Sequence, residues 1–545
     1  MYQPGPSLFP HDQYAPRHGW VALLCLLFLG LGLFGHDPWK VEDATHLGVA
    51  WSMWQDKTWL TPSLAGSHWP TAPLPYWIAA ASAILFDGLL PAHAATRLGT
   101  FLAAALCCLT LYFAAARLYG QRLALGAPLL LAGSLGLLVH SHETQPALWL
   151  LFSQALAILA IAQLPQRPGS ASALYGTDLG LAFLTDGITA LFILLPLLLV
   201  ALSSRDHRRA ALSGLPVMLL LASAIAASWL LLLYRYQTQA FGLWWADSLQ
   251  ALTQWQFSDL IKHSRMLLGM LPWFAWPTLP IALWGLWLHR QRWSELPYLL
   301  PVCAFLVAFV AIALGDQPRS AQALPLLVPL ALLASAGLGG LRRGAANAFD
   351  WFAMTTFTVL GALIWLGWVA MVFGLPAQIA HNFAKLEPGF QATLEPLAAG
   401  LSLLATLLWL ALIYTTPRSI YRGALHWLAG VTLIWLLTTQ LWMPWIDYGK
   451  TYRPLANQLA ERLPNKPGCV INGGMSDAVR ASFDYFIGLR TVADDTQAAR
   501  ACRWLLTQGS AKTDELAPGT GWRKVWESNR PGDRSEKIRL YRRAE

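Results

Sequence analysis

The chain has 545 residues, of which 56% are hydrophobic and 12% charged, with a formal net charge of +9. Soluble domains carry about 25% charged residues, so this composition excludes an ordinary soluble protein and describes a polytopic membrane chain. The basic excess is then no nucleic-acid footprint, because Lys and Arg in such chains mark the cytoplasmic side of the bilayer.

Residues 1–18 are polar and Pro-rich with little positive charge, and are expected to form a cytoplasmic N-terminal tail. The apolar run 19–35 has no small-residue cleavage site after Phe34, so it is expected to remain as an anchor. Apolar runs near 20 residues then predict spans at 94–118, 122–140, 145–164, 171–184, 187–203, 212–234, 270–289, 296–314, 321–339, 351–374, 396–415 and 424–444, about thirteen in all. The fifth and sixth are short and poorly separated around Thr185-Asp186-Gly187, where Asp186 is either a functional intramembrane acid or the turn between two helices. With the N-terminus inside, Arg117/Arg122, Arg167, Arg205/Arg208/Arg209, Arg290/Arg292, Arg342/Arg343 and Arg418/Arg422 all fall in cytoplasmic loops. Counting 74–90 as a span would put the later basic loops outside, so it is expected as a helix lying on the outer membrane surface. The transmembrane domain is therefore 19–444, with long external segments at 36–93, 235–269 and 375–395.

Residues 445–545 are polar and are expected as a separate external α/β domain. In it "GCVING", "CRWLLTQG" and "EKIRLYRR" predict strands and "SDAVRASFDYFIG" a helix. Cys25, Cys107, Cys108 and Cys303 lie in apolar runs and suit a membrane core, and no CxxC or zinc spacing occurs. Cys469 and Cys502 suit either a disulfide in an oxidising compartment or two buried thiols.

The outer face gathers the residues that can carry chemistry. "VEDATHLGVAWSMW" places Leu47, Ala50, Trp51 and Trp54 on one side of an interfacial helix, with Glu42 and Asp43 at its start. Helix capping explains one such acid better than two. The outer turn His140-Ser141-His142-Glu143 adds a third carboxylate, with His142 beside it. Its side chains also admit a divalent metal, although three residues in one turn are a weak signal. Lys40, Arg97, Lys262, Arg265 and Arg319 are cations on the side where cations are uncommon, and they suit a phosphate ligand. No GxxxxGK[ST], GxGxxG or GxSxG motif occurs, so no resident nucleotide cofactor is expected; a group donor at this face has to be a lipid.

The stretch "DPWKVEDATHLGVAWSMWQDKTWLTPSLAGSHWPTAPLPYW" resembles the GT-C-type membrane glycosyltransferases that use lipid-linked sugars, in the branch of the lipid A aminoarabinose transferases and bacterial protein O-mannosyltransferase relatives. Trp59, Pro62, Leu64, Gly66, Tyr76 and Trp77 keep that frame, and "TRLGTFLAAAL", "ARLYGQR", "GLAFLTDG", "LPLLVPLALLA" and "MPWIDYGKTYRPLA" resemble further blocks in order. The resemblance implies a multi-pass bacterial inner-membrane enzyme with a GT-C-type helical bundle and outer-face interfacial helices. Its donor would be a polyprenyl-phosphate sugar and its acceptor a lipid, glycolipid or protein. One carboxylate would act as base in an inverting displacement, with Glu42 in the frame position of the family's Asp and Asp43 and Glu143 as the alternatives. The chain departs from the family at four points, one being the second outer turn, where Thr144 and Gln145, with Glu143 just before, stand in place of an Asp. Its acidic pair is inverted, Pro70-Thr71-Ala72 replaces a Glu-Lys-Pro, and Asp186 replaces a motif lysine. Other cations then take the phosphate, or the chain binds lipid-linked sugar or a partner without transfer; a transporter would instead show internal repeats.

Overall fold

The computed structural model describes residues 16–39, 41–253, 257–315, 318–464, 467–494, 496–512, 519 and 521–544. The chain is mainly α-helical, as its apolar runs predict. Helices His18–Gly30, Ala92–Tyr119, Ala147–Gln163, Pro168–Ala201, Arg205–Tyr236, Leu296–Leu314, Leu327–Leu338, Arg343–Phe373, Pro396–Thr415 and Arg422–Leu437 build one apolar bundle. Phe28, Leu151, Leu194, Leu327 and Leu428 are almost completely buried in it.

Eight helices among the described residues are long and apolar enough to cross a bilayer, or nine when one bent pair counts as a span, against about thirteen expected. The difference has identifiable sources. Pro168–Ala201 is continuous in hydrogen bonding, but Asp186 and Gly187 (φ 58°) leave the helical region. The Tyr175 hydroxyl donates to the Leu194 carbonyl at 2.8 Å. Residues 19 apart on a straight helix stand nearly 30 Å apart, so the chain reverses at 186–187 and Asp186 lies in a turn. The expected span 122–140 is divided at Gly133-Ser134 into Gly126–Ala132 and Leu135–His140. The expected span 270–289 belongs to Phe257–Phe274 and Thr278–Leu288, which meet at 99°. His18–Gly30 and Ala147–Gln163 are apolar but shorter. The helices Thr238–Thr253 and Ala377–Leu386, in segments expected to be external, were not expected.

Two short helices lie side by side next to the bundle. Glu42–Asp56 packs against Leu74–Leu85, the stretch expected to lie on the membrane surface. Between them β1 (Ser63–Leu64) and β2 (Ser67–His68) form a tight antiparallel hairpin. Its turn, Ala65-Gly66, has φ of 47° and 81°. Gly66 suits that left-handed position, which explains its place in the frame.

The C-terminal domain carries β3 (Val470–Gly473), β4 (Val492–Ala493), β5 (Trp504–Ser510), β6 (Trp522–Ser528) and β7 (Glu536–Arg543) in the order β4-β3-β5-β7-β6. β3 is parallel to β4 and β5, while β7 is antiparallel to β5 and β6. The predicted helix is Asp477–Ile487, and a further helix, Arg453–Arg462, precedes the sheet. Leu455, Val470, Phe483, Leu506 and Leu540 close the core. Cys469 and Cys502 are joined by a disulfide with Cα atoms 5.0 Å apart.

This domain is seated on the acidic helix. Helix Asp477–Ile487 turns Val479 and Phe483 to its own sheet, and Ala481 to Gly48. A Cβ at Gly48 would stand 2.4 Å from that of Ala481, so only glycine admits this approach. Asp37 accepts from Thr451 Oγ1 at 2.7 Å and from Arg453 Nε at 2.8 Å. Asp447 accepts from the Asp37 backbone N–H at 3.0 Å and from Trp39 Nε1 at 2.8 Å. Arg490 pairs with Asp56 at 2.9 Å.

Candidate active site

The acidic pair opens helix Glu42–Asp56 without a side-chain cap bond at its N-cap, Val41. Successive residues on a helix point about 100° apart, and the two carboxylates have separate environments. Asp43 is 1% exposed and turned inward. Its Oδ1 accepts from the Thr144 backbone N–H at 2.7 Å and from Arg97 Nε at 3.4 Å. Its Oδ2 accepts from Arg97 Nη2 at 2.6 Å and from the Trp39 backbone N–H at 3.3 Å. Burial alone would raise this carboxyl, but the Arg97 charge and hydrogen bonds outweigh it, and the net direction is downward.

Arg97 is 0% exposed. Its Nη1 donates to the carbonyls of Leu33 and His36, each at 3.1 Å, and its Nη2 also donates to the Asp37 carbonyl at 3.1 Å. With the two bonds to Asp43, all five guanidinium donors are used. The expectation that Arg97 grips a phosphate is corrected: it ties the acidic helix, the 33–37 loop and the Ala92–Tyr119 helix together. Asp43, a candidate base in the sequence, has both its oxygens engaged by Arg97, Thr144 and Trp39 in this arrangement.

Glu42 points the other way and keeps 20% side-chain exposure. Its Oε2 is 3.1 Å from His46 Nε2, one turn along the helix. Its Oε1 accepts from Arg319 Nη1 at 3.4 Å. Partial burial pushes the Glu42 carboxyl up, but His46 and Arg319 together draw it down to about 2. It is therefore an ionised carboxylate with an open side.

Glu143 lies close by and is buried. It stands 3.1 Å from His140 Nδ1, whose Nε2 is 2.9 Å from Ser320 Oγ. Burial is the main cause of its raised pKa, and His140 opposes it only in part. His142 is corrected as a substrate contact. It is 2% exposed, with its ring nitrogens at 2.6 and 2.7 Å from the Leu138 and Phe28 carbonyls. Burial lowers its pKa to about 4. Arg319 remains the cation next to the site, 67% exposed. Lys262 and Arg265 are exposed on helix Phe257–Phe274, and among the described residues no bond ties them to the acidic pair. Lys40 lies outside the described residues.

An apolar cavity of about 490 Å³ is bounded by Ser320, the residue that follows Arg319. Leu135, Val139, Met270, Trp273 and Phe274 form its walls, with His140 and Ser320 at its polar end. Among the described residues no three His, Cys, Asp or Glu side chains gather as a metal site. His46 is the site residue that the sequence reading passed over. Its signal was the i,i+4 spacing from Glu42.

An apolar bundle, a short helix opened by an acidic pair and a small α/β domain seated on it make up a fold of the GT-C type. Residues 70–232 match the family described as dolichyl-phosphate-mannose-protein mannosyltransferase. The chain is 26% identical over 393 residues to the undecaprenyl phosphate-alpha-4-amino-4-deoxy-L-arabinose arabinosyl transferase of Erwinia tasmaniensis, covering 67% of this chain and 68% of that protein. It is 26% identical over 346 residues to the Aeromonas salmonicida protein of the same description, covering 60% of this chain and 61% of the relative. Its fold is shared with ArnT from Cupriavidus metallidurans, solved bound to undecaprenyl phosphate, at a TM-score of 0.63 and 16% identity over 96% of this chain and 98% of that one.

Proposed function

We propose that this protein transfers a sugar from a polyprenyl-phosphate donor to a lipid, glycolipid or protein acceptor at the periplasmic face of the bacterial inner membrane, with the C-terminal domain on that same side. The observation that carries the proposal is the pairing of Glu42, partly open, with the exposed Arg319, whose neighbour in sequence, Ser320, lines the apolar cavity. The cavity suits the first isoprene units of a lipid donor, and Arg319 and Ser320 suit its phosphate.

In this mechanism the acceptor group enters from the aqueous side and gives its proton to Glu42 Oε1 as it attacks the anomeric carbon. The bond from that carbon to the polyprenyl phosphate breaks, and the configuration inverts. The negative charge that collects on the leaving phosphate is met by Arg319, which is free to turn from Glu42 towards it. Asp43 and Arg97 take no part in the bond changes and hold the helix that carries Glu42. Glu143, with His140, shapes the polar end of the cavity. The proposed reaction draws on no resident cofactor, because a carboxylate supplies the base and a guanidinium meets the phosphate.

The similarity to undecaprenyl phosphate-alpha-4-amino-4-deoxy-L-arabinose arabinosyl transferases supports that lipid-linked sugar as the first donor to try. The test is turnover by the purified protein with a panel of polyprenyl-phosphate sugars, read as free polyprenyl phosphate. Release with at least one donor is the expected result. No release with any donor, in the presence of glycolipid and peptide acceptors, would sink the proposal in favour of a chain that binds without transfer.

A further inference from the structure

His46 and Tyr76 form a chain of contacts that ends on the proposed base. His46 Nε2 is 3.1 Å from Glu42 Oε2, and His46 Nδ1 is 2.9 Å from the Tyr76 hydroxyl. Tyr76 is 2% exposed and sits near the start of the second interfacial helix, Leu74–Leu85, so the contact crosses from one interfacial helix to the other. A carboxylate has only acceptor sites, so the imidazole facing Glu42 has to present an N–H there. In the neutral ring Nδ1 is then an acceptor, and the Tyr76 O–H donates to it. The phenol therefore selects the tautomer, and the tautomer holds the carboxylate. The same order of groups orients bases in other enzymes, with a buried hydroxyl or carboxylate behind a ring that acts on the working group.

We infer that His46 is a positioning residue for Glu42, locked in its tautomer by Tyr76, and that the pair fixes Oε2 so that Oε1 is directed towards the acceptor. This inference rests on the proposed transferase reading and adds two residues to it. The groups that face Glu42 are few. On its own helix they are His46 and Asp43, the latter already neutralised by Arg97. From the 318–320 segment comes Arg319, from the 140–143 turn Glu143 with His140, and from Leu74–Leu85 Tyr76. Arg319 is mostly exposed and is committed to the donor phosphate during turnover. His46 is then the partner that stays on Glu42 throughout the reaction.

The experiment compares His46→Phe, His46→Gln and Tyr76→Phe with wild type in polyprenyl phosphate release, measuring kcat and donor KM from pH 3 to 8. Misplacing a working group by about 1 Å costs up to about a hundredfold, so His46→Phe is expected to lose at least tenfold in kcat with donor KM unchanged. Its activity is expected to fall off on acidification at a higher pH than that of wild type, because Glu42 loses a partner that draws its pKa down. His46→Gln keeps a side-chain N–H and restores most of kcat and the low acid limb, while Tyr76→Phe falls between. If Glu42→Gln is inactive while His46→Phe keeps the wild-type kcat and acid limb, the inference is overturned and the transferase reading stands. A fall in kcat with an unmoved acid limb and no recovery in His46→Gln also overturns it, because that pattern marks a merely structural residue. A wild type that releases nothing removes the transferase reading itself, and the inference with it.

Discussion

Asp43 Oδ2 and Arg97 Nη2 stand 2.6 Å apart with both side chains sealed from solvent. This contact separates two adjacent carboxylates that look equivalent in the sequence. Asp43 is spent on an internal ion pair, and Glu42 is left with a free edge. A buried pair of this kind is weak support for stability in itself, but breaking it strands a charge.

Asp43→Ala and Arg97→Ala should therefore each lower stability by about 3–5 kcal/mol. Asp43→Leu combined with Arg97→Met should be milder than either, since it removes both charges. Chemical or thermal unfolding in detergent measures this. Equal stability of Arg97→Ala and wild type would show that the pair does not hold the helix.

Arg319 should behave in the opposite way. Its bond to Glu42 is 3.4 Å long and mostly exposed, and such pairs contribute about 0–1 kcal/mol to stability. A charge-assisted bond to phosphate contributes about 1.5–3 kcal/mol. Arg319→Ala should thus leave unfolding unchanged and raise donor KM roughly tenfold or more, with Arg319→Lys in between. An unchanged KM would remove Arg319 from the phosphate.

The seat of the C-terminal domain depends on a missing side chain. Gly48→Val would drive a side chain into Ala481, where even a Cβ stands at 2.4 Å. Overpacking of this kind costs about 1–3 kcal/mol. The domain should loosen, with faster proteolysis near 445–452 and reduced turnover. Pairing Gly48→Ala with Ala481→Gly should restore the seat. Unaltered proteolysis in Gly48→Val would mean that the two helices do not meet this closely.

Acid should expose the Glu42 contacts. Its pKa falls from 4.5 to about 2 in the folded chain. The folded state then binds the proton less tightly than the unfolded one, so the stability this group lends is complete above 4.5 and is lost as the pH falls towards 2. The difference in unfolding temperature between wild type and Glu42→Gln should be constant from about pH 7 to 5.5 and shrink below about pH 4.5. A difference that grows on acidification would reverse the sign of the assignment.

Much of the fold was legible because bilayer physics is coarse. A run of about 20 apolar residues spans hydrocarbon, and basic loops collect on one side. The helix Leu74–Leu85 and the main strands of the tail followed from those rules and from turn chemistry. The break at Gly133-Ser134 and the 99° bend before Thr278 were not legible, because an apolar run looks the same whether or not its helix is interrupted. In the site, the spacing named the acidic pair but not the division of labour within it. That division depends on Arg97, 54 residues further on, and on the Thr144 N–H across the bundle. Arg97 read as a ligand because an outer-face arginine is unusual. The internal acceptors that use all its donors are mostly backbone carbonyls, which leave no trace in side-chain identity.

The most direct measurement is polyprenyl phosphate release by Glu42→Gln and Asp43→Asn beside wild type, at matched amounts of folded protein and with each variant's unfolding recorded. Loss of a positioned general base lowers rate by about 10²–10⁴. Glu42→Gln should lose turnover to that extent while remaining folded at the assay temperature, with only the fall in unfolding temperature that its lost contacts predict, and Asp43→Asn should lose stability, with activity falling in proportion to the folded fraction. Wild-type turnover in Glu42→Gln, with an inactive but fully folded Asp43→Asn, would contradict the assignment and make Asp43 the base.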